Sequence, residues 1–311
     1  MTPSIPRPRS RALSSRADTS FQIVILILAS LVLVIAGMYG AVLLLGGLPA
    51  FAKEGLGFVF GLEWNPGTEQ YQAFPFIVGT FVTAIGALII ATPFAVASAL
   101  FVVEYAPKWI ATPISNLVEL LAAIPSVVYG LWGLFVLVPI VRSFQVWVVL
   151  TFPGLGWAPT GIGLFAAMIL LAIMVIPFIS AISRDVIKLV PNDQREAAYA
   201  LGATKWEVIR YGIFPYARAG ILGGVILGLG RAVGETLAVT MVIGNANRIA
   251  PNLFAPTATM SSVIASNFNE ALGSMVPALI GIGFVLFVFT LLINYAARII
   301  ISRLTPQGIR L

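Results

Sequence analysis

The sequence predicts an all-α integral membrane protein with six transmembrane helices, and three observations carry that prediction. Hydrophobic residues make up 59% of the 311 residues and charged residues 10%, against roughly 45–50% and 25% in soluble globular domains. The mean hydropathy of +1.00 leaves too little polar surface to dissolve a chain of this size. The remaining charges stand at the ends of long apolar runs. No charge occurs for 34 residues between Asp18 and Lys53, or for 34 between Glu69 and Glu104. The gaps from Glu119 to Arg142, Arg142 to Arg184 and Glu270 to Arg298 hold 22, 41 and 27 residues. A helix needs about 20 apolar residues to cross a hydrocarbon core of ~30 Å, so each gap accommodates one span. These runs are apolar on every face, whereas the strands of a barrel would alternate over about 10 residues.

The expected span cores cover residues 21–45, 74–103, 114–141, 161–183, 217–244 and 274–301, the fifth interrupted by Arg231 and Glu235. With the amino terminus inside, fourteen of the eighteen lysines and arginines fall in inner segments. Lys53, Arg142 and Arg248 fall in outer loops, and Arg231 lies within the membrane. This bias places both termini on the cytoplasmic side. It also accounts for the net charge of +6 without a nucleic-acid partner. The division that follows is a basic tail (1–20), a first helix (21–45), an outer loop (46–73), a core (74–301) with an inner loop at 184–218, and a second tail (302–311).

Several classes drop out. The chain has no cysteine and no histidine, which excludes disulfide scaffolds, His-based triads and His- or Cys-ligated metals. The start superficially resembles a signal peptide with a cleavage site near Ala52. Its apolar stretch of about 25 residues is too long for a signal core of ~7–15. No G-x-x-x-x-G-K-[ST] loop occurs, so if ATP powers this protein, another chain hydrolyses it.

Within the spans, Pro93, Pro125 and Pro177 are read as bends that shape the bundle or line a pore. Gly220, Gly224 and Gly228 repeat at the four-residue interval that lets helices approach closely. This is a better account of the glycines than a nucleotide fingerprint, because no strand precedes them.

The inner loop at 184–218 holds six basic and four acidic residues. Pro191, Asn192 and Asp193 mark the entry to a short helix carrying Glu196, Ala197, Ala198 and Tyr199. Gly202 then supplies a turn, and a second helix carries Lys205, Trp206 and Ile209. Small alanines permit close docking of another protein, with Trp206, Ile209 and Phe214 as apolar anchors.

Glu196-Ala197-Ala198, with Gly202 four residues on and Pro215 thirteen beyond that, resembles the "EAA" loop of bacterial ABC importer permeases. Gly212 and Phe214 depart from that pattern, where isoleucine and leucine are usual. The runs from Glu119 to Gly130, from Gly228 to Thr240, and Glu104-Tyr105-Ala106-Pro107 are similar to the phosphate (Pst) branch, C-type subunit, over about residues 57–300. The sister A-type permease is a close relative. The resemblance implies the MetI-like permease fold and assigns Glu196, Ala197, Ala198, Gly202, Trp206 and Pro215 to ATPase coupling. It implies no cofactor on this chain, with ATP and Mg on partner ATPase subunits. The implied partners are a homologous second permease, two ATP-binding subunits, an extracytoplasmic phosphate-binding protein, inorganic phosphate and membrane lipid.

Arg231 and Glu235 are the candidate substrate-pathway residues. An arginine inside a bilayer costs about 2.5–3.5 kcal/mol even on the lenient insertion scale, so it must face the bundle interior or water. On a continuous helix the four-residue spacing puts both on one face. From charge alone, an intrahelical salt bridge and an anion pathway are both open; the resemblance favours phosphate passage. Glu119 either lies at the interface or touches the path. A secondary anion transporter is the main alternative from another class, but it would show repeated halves and have no use for the coupling loop. A membrane-embedded enzyme would need more converging polar groups, and a receptor leaves Arg231 unexplained.

Overall fold

The computed structural model describes residues 11–152 and 157–304. Helix α1 (Arg11–Glu54) is followed by a short α2 (Gly57–Phe60) and an antiparallel hairpin, β1 (Trp64–Asn65) and β2 (Gln70–Tyr71), with Trp64 opposite Tyr71. Then come α3 (Phe74–Leu100), α4 (Lys108–Ala123), α5 (Ser126–Trp132), α6 (Val138–Thr151) and α7 (Leu164–Lys188). The remainder comprises α8 (Asn192–Ala200), α9 (Lys205–Glu207), α10 (Phe214–Gly234), α11 (Leu237–Ile243), α12 (Met260–Asn267) and α13 (Met275–Leu304). Wide π-type turns end α3 (Phe101–Tyr105) and join α5 to α6 (Gly133–Leu137) and α9 to α10 (Val208–Ile213).

Among the described residues, six helical segments are long and apolar enough to span: Asp18–Glu54, Phe74–Tyr105, Ser126–Thr151, Leu164–Lys188, Lys205–Gly234 and Met275–Ser302. Their number agrees with the six expected cores, and most run past those cores because helices continue into the flanking polar residues. The first helix already begins at Arg11. The expected tails at 1–20 and 302–311 lie partly outside the described residues. The stretches expected as outer loops also carry structure. The first holds the end of α1, α2 and the hairpin, and residues 245–273 hold α12.

The third span corrects the sequence reading. Instead of one helix over 114–141, α4 ends at Ala123 and a new helix starts at Ser126. Ile124 and Pro125 are extended, with ψ of 128° and 141°. Proline drives its predecessor out of the helical region and has no N–H to continue the ladder. The span therefore shifts toward Thr151, and Arg142, expected in a loop, sits inside α6.

Packing follows from small residues. In α3, Ala84, Ala87, Ala91 and Ala95 recur at three- and four-residue steps and are buried, which lets α7 lie along α3 with little separation. The expected glycine stripe behaves alike against α7. A Cβ on Gly220 would come 2.5 Å from Val186 Cγ2, and one on Gly228 would come 2.6 Å from Val175 Cγ1. A central core thus joins α3, α5, α7, α10 and α11 around Leu170, Leu171, Val175 and Val239. A second core, around Phe58, Phe76, Met260 and Leu279, seals the hairpin end. Helix α1 packs on α13, where Gly47 meets Gly281, and otherwise exposes most of its apolar surface.

Candidate substrate pathway and coupling loop

The two charged residues expected on one helix face are separated by a break. Helix α10 ends at Gly234, and Glu235 is extended (φ −68°, ψ 128°). Glycines at 230 and 234 weaken the last turn, and two interactions hold the new direction. Ser261 Oγ donates to the Glu235 carbonyl at 2.8 Å, and the Glu235 carboxylate accepts from the Ala238 amide at 3.4 Å. Glu235 is 9% exposed and turned to the start of α11, where helix amides and dipole favour an anion. The shared-face geometry is overturned because spacing predicts a face only while the helix continues.

Arg231 stays in the last turn of α10, half-buried. Among the described residues no ion pair joins it to a carboxylate, so the intrahelical salt bridge is absent. Its guanidinium lies over the Phe178 ring of α7 at 4.6 Å, and its Nε is buried without a hydrogen-bond partner. The ring returns part of the desolvation cost by a cation–π contact, and the fork of donors remains available to a planar or tetrahedral oxyanion.

Glu119 is engaged elsewhere. Arg184 at the end of α7 donates to its carboxylate at 2.7 Å, which ties α4 to α7. Among the described residues no group of three or more acidic side chains is placed to hold a metal.

The inner loop at 184–218 forms the expected helix–turn–helix. Helix α8 carries Glu196, Ala197 and Ala198. Gly202 takes φ +80°, a left-handed conformation that costs a β-branched residue most. Thr204 and Glu207 then form a capping box that starts α9, the reciprocal arrangement that satisfies orphan amides. Trp206 (62% exposed), Leu201 (89%), Tyr211 and Phe214 present an apolar face outward. Pro215 opens α10 at its first turn, where a missing N–H costs nothing. One anchor is corrected. Ile209 is buried with Ile187, Val208 and Ile213, because the wide turn after α9 rolls it inward. Leu201 and Tyr211, which the sequence reading did not single out, replace it on the exposed face.

The arrangement combines a helical bundle, an arginine in a span with no ion-pair partner among the described residues, and a helix–turn–helix with an exposed apolar face. A family model described as "Binding-protein-dependent transport system inner membrane component" matches residues 91–306. The chain belongs to that family, the permeases of ABC importers. Within it, the chain falls among the C-type permeases of phosphate transport systems. It is 43% identical over 301 residues to "Phosphate transport system permease protein PstC" of Xylella fastidiosa strain Temecula1, covering 94% of this chain and 93% of the relative. It is 44% identical over 288 residues to the protein of the same name from Mesorhizobium japonicum, covering 90% and 88%. Among solved structures, a bacterial alginate ABC transporter in complex with a pentasaccharide-bound periplasmic protein aligns at a TM-score of 0.61 and 18% identity, over 96% of this chain and 100% of that one. The inward-facing MetNI methionine transporter aligns at 0.53 and 19%, over 75% and 94%. These two likenesses are of fold, and they agree with the MetI-like architecture.

Proposed function

We propose that this chain is the permease subunit of an ATP-driven importer that conducts inorganic phosphate across the bacterial plasma membrane, with both termini cytoplasmic. The phosphate permeases among its relatives support the substrate, and the lysine and arginine distribution supports the orientation. The observation that carries the pathway is Arg231, an arginine inside a span with a buried donor that no group among the described residues accepts. A membrane protein gains nothing in stability from such a group, so an anion is its natural complement.

Arg231 draws the anion in, and Glu235 at the break one turn further discriminates among anions. Phosphate near neutral pH keeps at least one hydroxyl that donates a hydrogen bond to a carboxylate, whereas sulfate has none and is repelled. The full machine pairs this chain with a homologous permease, since six spans make half of a two-sided path. Two ATP-binding subunits, which hold the ATP and Mg, dock on the α8–α9 loop through Glu196, Ala197, Ala198 and Trp206. An extracytoplasmic phosphate-binding protein meets the hairpin and the loop at 245–273.

Reconstitution in vesicles tests this reading. Phosphate uptake should require ATP, both permeases, the ATPase and the binding protein together. Uptake by this chain alone, without ATP, would establish the secondary-transporter alternative instead.

A further inference from the structure

The Glu104-Tyr105 turn at the end of α3 touches both arms of the coupling loop. On one side, Arg195 of α8 spreads its guanidinium over several elements. Its Nη2 and Nε donate to Glu104 at 3.0 and 3.3 Å, and Nη2 donates to the Ile187 carbonyl at 3.0 Å. Its Nη1 donates to the Val190 carbonyl and to Asn192 Oδ1. The Arg195 and Glu104 side chains are both largely buried. On the other side, Lys205 of α9 sits 4.3 Å over the Tyr105 ring. The turn itself is a π-type closure, with the Ala106 amide donating to the Phe101 carbonyl at 2.8 Å, and Pro107 stops any continuation. The surrounding core packs Ala99, Ile187, Val190 and Val208 into one cluster. No docking role accounts for Arg195 and Glu104, since both face inward.

We propose that Glu104 and Arg195 are positioning residues that latch the coupling loop to two spans at once, so that movement imposed on α8 is delivered to α3 and α7 together. This rests on the coupling reading of the loop. An arginine suits the task because its planar fork reaches a carboxylate and backbone carbonyls simultaneously, which a lysine ammonium does not. The path onward is short. Ile187 and Phe178 lie nine residues apart on α7, about 14 Å along a helix axis, and Phe178 is the ring beneath Arg231. A displaced α7 therefore carries with it the group that holds the pathway arginine. Pro177, immediately before Phe178, lies inside α7 and removes one ladder hydrogen bond at that level.

The test uses the complete importer in proteoliposomes and reads three quantities: ATPase subunits bound, ATP hydrolysed, and phosphate delivered per ATP. Glu104→Ala should leave the ATPase bound and hydrolysing, while phosphate per ATP falls about tenfold, as expected for removing the carboxylate of a charge-assisted pair. Glu104→Gln keeps the length and one acceptor oxygen, so it should fall between Glu104→Ala and the parent. It also serves if the alanine variant fails to insert. Arg195→Lys should resemble Glu104→Ala, and combining the two should add little further loss. An unchanged phosphate-per-ATP ratio in Glu104→Ala or Glu104→Gln would overturn the latch. Loss of bound ATPase from Glu104→Gln would also overturn it, by making Glu104 part of docking. Gly202→Val, measured alongside, separates the two ideas: if it abolishes uptake while the Glu104 variants transport normally, coupling stands and only the latch fails. If Gly202→Val itself binds ATPase and transports normally, the coupling reading fails.

Discussion

Replacing Arg231 with methionine should make the protein more stable and inactive. Methionine matches the length of the arginine stem and brings no charge. Three magnitudes set the balance. Holding an arginine within a span costs about 2.5–3.5 kcal/mol at mid-bilayer. A buried donor without a partner, as at Nε, costs about 1–3 kcal/mol, and this overlaps the first figure. Against these, the Phe178 ring at 4.6 Å returns about 0.5–2 kcal/mol. No carboxylate among the described residues loses its partner when the charge goes, so the usual penalty for breaking a buried pair does not arise. The balance favours methionine by roughly 0.5–3 kcal/mol. Thermal unfolding of the purified complex should show a melting temperature a few degrees higher, and ATP-driven phosphate uptake should be lost. A lower melting temperature together with retained uptake would show that Arg231 serves the bundle, and the pathway argument would fall.

Three other substitutions probe separate links. Gly202→Val forces a β-branched residue into φ +80°, at a cost of about 1–2 kcal/mol or more; pull-down of the ATPase should weaken while the permease still inserts. Gly228→Leu drives a side chain into Val175 and Ile179 and should destabilise the α7–α10 contact by about 1–3 kcal/mol, read as a lower melting temperature of the complex. Glu235→Gln should retain some flux but pass relatively more sulfate through an importer freed of its binding protein. An unchanged phosphate-to-sulfate ratio would leave Glu235 as a cap for α11 alone.

What the sequence made legible was governed by composition. Five of the six spans overlap runs in which charges are missing for more than 20 residues, because the bilayer imposes that length. Although the capping box of Thr204 and Glu207 emerged only from the structure, the helix–turn–helix of the inner loop was equally plain, since Pro191, Asn192, Asp193 and Gly202 are local signals that act within a few residues. The breaks were not. Pro125 falls inside an expected span, where proline either bends or interrupts a helix, and only the extended Ile124 shows which occurred. The break at Glu235 depends on Ser261, 26 residues away, and a tertiary hydrogen bond leaves no periodic trace. The same holds for Arg195 and Glu104, 91 residues apart. Arg195 reads as one of six basic residues in the inner loop and Glu104 as the end of an apolar run, and nothing local marks them as a pair. Helix α12 was hidden for another reason. At eight residues, rich in serine and only moderately apolar, it reads as loop although its first turn is buried.

Phosphate uptake by the complete importer carrying Arg231→Lys is the most direct measurement of the pathway. Lysine keeps the positive charge at the end of α10 but replaces the planar fork with a compact ammonium that binds oxyanions as a point charge. The account predicts that both permeases and the ATPase assemble in normal amounts while phosphate uptake falls by about tenfold or more, the loss of one good bidentate interaction. Uptake at the parent rate would contradict it, because any cation at residue 231 would then suffice and the guanidinium would not be what receives the phosphate.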